Sequence, residues 1–171
     1  DGRTALRQYI LDDVARYVGG VFTSDETRKH LLAAASEAVY VAGWMSFDAS
    51  EHEAARRYFT LALKLAAEAD EAPLAGHILR AMAHQAIDLG HPGTGVQLAT
   101  ASVDRRRYTL ATPRERALLG VVRARSLATD GQRREAIAAL LRAEDDLAAA
   151  RPGDDDPHRV WFFQQASLAH E

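Results

Sequence analysis

The sequence predicts an all-α fold, an array of antiparallel helix hairpins built from about eight helices. Three observations carry this. Alanine, leucine, arginine and glutamate dominate the 171 residues, and these are helix formers. No β-branched run alternates with period two, so no strand is expected. Small residues recur at fixed offsets on either side of helix-stop signals, and the set repeats after about 40 residues.

Taken in order, residues 4–18 form an amphipathic helix with Leu6, Tyr9, Ile10, Val14, Tyr17 and Val18 on one side. Gly19-Gly20 ends it. Thr23 and Glu26 stand at capping-box spacing and open a helix to about Ala49. Ser50 with Glu53 repeats that spacing and opens a helix to about Ala69. Pro73 suits the first turn of the next helix, which runs to Leu89 and stops at Gly90. Pro92 opens a helix through about Val103, and residues 104–111, with Arg105-Arg106-Arg107, form a connection. Thr112-Pro113-Arg114-Glu115 is the clearest start signal: N-cap, proline at N1, glutamate at N3. That helix ends at Asp130-Gly131, and the next spans Gln132 to about Ala150. After a loop at 151–156, a last helix over 157–170 carries Trp161, Phe162 and Phe163. Short connections make neighbours antiparallel. The expected organisation is one repeat domain over 1–171, with hairpins at about 23–70, 73–104 and 112–150.

Alignment of the three hairpins on their turns brings out the repeat. Gly43 precedes Ala55 by twelve, Ala83 precedes Gly95 by twelve, and Ala124 precedes Ala136 by twelve. In the second helices Ala55, Phe59 and Ala62 correspond to Gly95, Ala99 and Ser102, and to Ala136, Leu140 and Ala143. Small residues at helical spacing let two backbones approach, so Gly43 is expected to be a contact point between helices.

This pattern resembles the tetratricopeptide repeat, although Val39 and Ser46 stand where that repeat usually carries tryptophan and tyrosine, and the period alone also suits HEAT or armadillo arrays. The resemblance implies a right-handed superhelical array. A narrower resemblance lies in Leu31–Glu37, Ala42-Gly43-Trp44-Met45, Phe47-Asp48, Ala55–Phe59, His84-Gln85-Ala86, Asp88–Pro92 and Thr112-Pro113-Arg114. These stretches resemble the C-terminal tetratricopeptide-like region of actinobacterial helix-turn-helix transcriptional regulators of the Xre type. In that family a DNA-binding domain precedes this region. No recognition helix is found in this sequence, so DNA binding is implied only through a domain absent from it. A start at Asp1 and a stop at Glu171 inside a helical pattern predict a piece of a longer chain.

Composition narrows the function classes. A net charge of −3 with mixed signs gives no basic face for a nucleic-acid backbone. The absence of cysteine removes disulfides and thiolate metal sites and fits a cytoplasmic location. No apolar run approaches a membrane span, so no membrane partner is expected.

First helices of hairpins in such arrays line a concave groove. The residues placed there are Glu37, Tyr40, Trp44, Phe47 and Asp48 from the first hairpin, His77, Arg80, His84 and Asp88 from the second, and Arg125 from the third. Aromatic rings with both charge signs suit an extended peptide, a helix, or a small molecule with an acidic group facing Arg80 and Arg125. The competing reading makes Trp44, Tyr40 and Phe47 packing residues, and pairs Arg80 and Asp88 with neighbouring charges. His77, His84 and Asp88 lack the three or four convergent ligands of a metal site, so no metal or cofactor is expected. No nucleophile constellation or phosphate-cradling loop appears, so no enzyme is expected. Arg105-Arg106-Arg107 reads as a solvated run, and Asp154-Asp155-Asp156 as a solvated cap. The expected function is a sensor or protein-interaction module of a transcriptional regulator, with a peptide, protein or small ligand in the groove, or a homodimer. The alternative is a scaffold or dimerisation domain without a small ligand, signalled by an unpaired apolar face of Val160, Trp161, Phe163 and Leu168.

Overall fold

The computed structural model describes residues 2–168 and, among these, the side chains of residue 5 and of residues 7–168. The expected role of Leu6 and the end of the expected last helix, at residues 169 and 170, lie outside this set. The described residues contain no strand and nine α-helices. These are α1 (Gly2–Val18), α2 (Asp25–Asp48), α3 (His52–Glu68), α4 (Ala72–Asp88), α5 (Pro92–Ser102), α6 (Arg105–Leu110), α7 (Pro113–Thr129), α8 (Arg133–Ala149) and α9 (Gln165–Leu168). None of the described helices is long and apolar enough to cross a membrane. The chain divides into two compact units, Asp1–Ile78 and Leu79–Glu171.

One joint recurs at four helix ends. After α2, α3, α4 and α7 the chain steps into the left-handed region at Ser50 (φ 59), Asp70 (φ 63), Gly90 (φ 79) and Gly131 (φ 80). The next amide then reaches back five residues: Glu51 N to Ser46 O, Glu71 N to Ala66 O, His91 N to Ala86 O and Gln132 N to Leu127 O, at 2.8–3.0 Å. This is the Schellman closure, which satisfies carbonyls left over at a helix end. The same residue's carbonyl starts the following helix by accepting from Ala55, Ala75, Gly95 or Ala136. Ser50 is therefore the left-handed terminator of α2 and not the expected cap of α3. The N-cap of α3 is Glu51, which makes no side-chain capping bond. At α2 the cap is Ser24, one residue past the expected Thr23, with its Oγ accepting from the Thr27 amide at 3.1 Å.

In the first unit α2 packs on both α1 and α3. A methyl added to Gly43 would lie 2.6 Å from two ring carbons of Phe59. Gly43 is thus a seat for the Phe59 ring, which is fully buried, more than a point of backbone contact. The Ser36 hydroxyl donates to the Ala62 carbonyl at 2.8 Å and ties α2 to α3. Contact with α1 departs from the expected apolar stripe, because Tyr9 and Tyr17 are exposed. Arg7 is buried instead. It donates to Ser46 Oγ at 2.8 Å and to both carboxylate oxygens of Glu51.

In the second unit α7 packs on α8 and on α5. Gly95 approaches the Ala83 carbonyl and the Ile87 side chain, and Gly120 faces Ala143. Both are positions where a larger side chain would separate the helices. Ala83, Ala99, Leu118, Val121, Val122 and Ala143 belong to one buried cluster. The connection at 104–111 is itself a helix, α6. Asp104 caps it by accepting from the Arg107 amide, and the Arg107 guanidinium donates to the Ala101 carbonyl at 2.8 Å.

The segment after α8 differs most from expectation. It holds a single 3-10 turn, His158–Val160, and the four-residue α9 in place of one helix over 157–170. Val160, Phe163 and Leu168 are buried in the unit's own cluster, so that apolar face is covered by the chain itself. Trp161 and Phe162 remain exposed. The segment is strapped to the start of α7. Thr112 and Glu115 form the expected capping box. Thr112 Oγ1 also donates to Asp156 at 2.7 Å, and Arg114 donates to Asp156 and to the Phe163 carbonyl, each at 2.7 Å. Asp156 is therefore a paired anchor and not a solvated cap, whereas Asp154 does cap its loop by accepting from the Arg151 amide.

Candidate ligand pocket

The ten residues placed in a groove divide between the units. Glu37, Tyr40, Trp44, Phe47, Asp48 and His77 fall in the first, and Arg80, His84, Asp88 and Arg125 in the second.

In the first unit the rings form a packed cluster around Phe59. Trp44 meets Phe59 at a centroid distance of 5.7 Å and Phe47 at 5.5 Å, both edge to face. Tyr40 lies 5.9 Å from Phe59 and 5.0 Å from the ring of His77. Edge-to-face contact is the favoured arrangement of ring quadrupoles and adds about 0.5–1.5 kcal/mol per pair to area burial. Trp44, Tyr40 and Phe47 are half-buried, so their inner edges pack and their outer edges remain accessible. His77 is only 2% exposed, as a packing histidine would be. Glu37 and Asp48 are exposed.

In the second unit Arg80 is buried in α4, at 7% exposure, and does not present an open cation. His84, Asp88 and Arg125 form a closed network. Arg125 Nη1 lies 3.3 Å from His84 Nδ1 and its Nη2 lies 3.5 Å from Asp88 Oδ1. His84 Nε2 lies 3.3 Å from Asp88 Oδ2. A guanidinium can only donate, so His84 Nδ1 accepts and the imidazole proton sits on Nε2, facing Asp88. The network fixes the direction of Arg125. Among the described residues no group of three His, Asp or Glu side chains could hold a metal ion.

Arg125 also stands on the wall of a pocket of about 350 Å3 between α7 and α8. The floor is apolar, with Val121, Ala124, Ala136 and Leu140; Ile137 and Arg133 lie at its edge. Ile137 is 51% exposed and Leu141, one position on from Leu140, is 55% exposed. The sequence places Arg125 in a groove of first helices, whereas here it shares a pocket with α8, a wall that sequence reasoning missed. The available signal was an apolar side chain at Ile137 next to the small position Ala136. The pocket combines apolar walls with one directed cation, which is the usual make-up of a site for a ligand with an acidic group. Comparison with protein-family models, with characterised proteins and with solved structures finds no significant match.

Proposed function

We propose that the chain is a sensor or protein-interaction module, and that it takes an apolar side chain or small apolar ligand into the α7–α8 pocket. The observation that carries this reading is the open apolar pocket with Arg125 held on its wall by His84 and Asp88. An acidic group on the ligand would meet Arg125 or Arg133. The regulator context rests on the resemblance of residues 42–59 and 83–92 to the repeat region of Xre-type helix-turn-helix regulators. In that context the DNA-binding heads belong to another part of the protein, and the module acts by ligand, peptide or self-association. The role is binding and not catalysis, and the setting is cytoplasmic.

Isothermal titration against pools of acidic, apolar peptides tests the pocket. Ile137→Glu should abolish binding and leave the fold intact, because the side chain is half in solvent. Arg125→Ala should weaken binding about tenfold, the cost of one charge-assisted contact. Binding that survives both changes would sink the reading.

A second reading is favoured by a specific observation: Trp161 and Phe162 are adjacent and 57% and 62% exposed. A scaffold or homodimerisation surface would use them. Light scattering over a range of concentrations separates the two, since Trp161→Ser would shift the mass only in the second case.

A further inference from the structure

A second cavity of about 410 Å3 lies in the same unit and shares no lining residue with the α7–α8 pocket. It is bounded by α5, α6, α7 and α8. Three arginines from three different helices line it: Arg105 of α6, Arg123 of α7 and Arg142 of α8. Two carboxylates also line it, and both are already engaged. Asp104 caps α6 and sits 3.3 Å from the Arg107 guanidinium. Asp146 accepts from the Tyr108 hydroxyl at 2.5 Å and lies 3.4 Å from Arg116, whose guanidinium also stacks over the Tyr108 ring.

That leaves the three lining arginines without a counter-charge. Among the described residues none of their side chains has a carboxylate within ion-pair distance. Arg123 Nε is buried and has no protein acceptor. A buried N–H without an acceptor costs about 1–3 kcal/mol, more when it carries charge, so the arrangement is stabilised by whatever anion completes it. Like charges converging on one cavity are themselves unfavourable until an anion is present.

We propose that this cavity binds a small organic phosphate monoester. A phosphate offers three terminal oxygens in a tetrahedral array, and guanidinium forks on separate helices can each take one edge. The hydroxyl of Thr100 at the wall adds a short donor. The remaining volume, beside Val103 and Ala139, accommodates the organic part of the ester. A planar carboxylate has two oxygens and one charge, and leaves one of the three arginines unmatched.

The test uses phenyl phosphate, inorganic phosphate and benzoate as probes against the whole chain. Titration calorimetry should show one phenyl phosphate bound per chain, with affinity falling as salt rises. Benzoate and inorganic phosphate should bind at least roughly tenfold more weakly. Arg105→Gln and Arg142→Gln replace exposed side chains without ion-pair partners. Each should reduce phenyl phosphate affinity about tenfold. Each should also leave the melting temperature of the free protein unchanged or slightly higher, because a repulsion is removed. The rise in melting temperature on adding phenyl phosphate should shrink in both variants. No binding at millimolar phenyl phosphate, equal affinity for benzoate or inorganic phosphate, or affinity indifferent to both substitutions would overturn the proposal. None of these outcomes depends on the α7–α8 pocket.

Discussion

Arg159 Nε and Nη2 both reach Glu115 Oε1, at 3.0 and 2.6 Å, from a segment 44 residues further along the chain. Glu115 is simultaneously the N3 residue of the capping box that starts α7. One carboxylate thus begins a helix and fastens the C-terminal segment over it. With Glu115 4% exposed, removing its partner strands a charge in the interior. Arg159→Ala should destabilise the protein by about 3 kcal/mol, the cost of breaking a buried pair. Thermal unfolding should show a fall of roughly 10 °C. A fall of a degree or two would mean that water reaches Glu115 and the strap is held by Asp156 alone.

The Phe59 ring fills the space that Gly43 leaves open. Gly43→Ala pushes a methyl into the Phe59 ring and should cost about 1–3 kcal/mol. Phe59→Ala should cost about 3–5 kcal/mol. In the double variant Gly43→Ala/Phe59→Ala the clash disappears, so the combined loss should be smaller than the sum of the two single losses. Denaturant unfolding of all three variants gives that coupling directly.

The four left-handed joints differ in residue but not in geometry. Gly131→Ala meets no atom within 4 Å, so its cost is purely conformational, about 1 kcal/mol. Ser50→Gly goes the other way and should stabilise by a few tenths of a kcal/mol, since glycine relieves the left-handed strain but gains entropy when unfolded. Urea midpoints with unchanged slopes are the measurement. Equal and opposite effects at the two sites would show that the joints are interchangeable.

Acid should loosen α1 first. The Arg7 guanidinium, hydrogen-bonded to Glu51, holds that carboxyl below the usual carboxylate range against an opposing desolvation effect. A lowered native pKa means that the contribution to stability is present above the unfolded value of about 4.3 and is lost as pH falls through the native value. Amide exchange in α1 should therefore accelerate below about pH 4, before that in α2, and Glu51→Gln should remove the difference. At the alkaline end Tyr108 behaves in the opposite sense. Burial first, then its hydrogen bond to Asp146, push its pKa up to about 12. The contribution is present below the ordinary tyrosine value near 10 and is lost as pH rises toward 12. Absorbance titration at alkaline pH should show a late tyrosine that is missing in Tyr108→Phe.

Helix type and the approximate bounds of α1 to α5, α7 and α8 were legible because caps, prolines and glycines act locally, whereas α6 was read as a connection. Thr112-Pro113-Arg114-Glu115 predicts its own structure within four residues. Ser50 misled because serine is a common N-cap, and nothing nearby shows that the α2 terminus needs it in the left-handed region. The last segment misled for a different reason. Trp161, Phe162 and Phe163 carry apolar pattern enough for a helix, but Asp156, Arg159 and Phe163 are committed to partners more than 40 residues earlier. The candidate site was partly legible. Spacing placed Arg125, His84 and Asp88 along one groove, and the structure joins them in one network, whereas burial of His77 and Arg80 is set by packing around α4 that no local pattern encodes. The arginines of the phosphate cavity come from three helices, and only their tertiary arrangement makes them a set.

The recurrent joint also has a kinetic meaning. Each one closes through hydrogen bonds spanning five residues or fewer, so it forms without waiting for remote chain. Contacts of such short range favour fast folding, and nucleation can start at any of the four turns. The strap is the exception, because Asp156 and Arg159 meet Thr112, Arg114 and Glu115 only across the whole α7–α8 hairpin, a separation of more than 40 residues. Its closure should therefore follow that of the hairpin, leaving the start of α7 bare until late in folding.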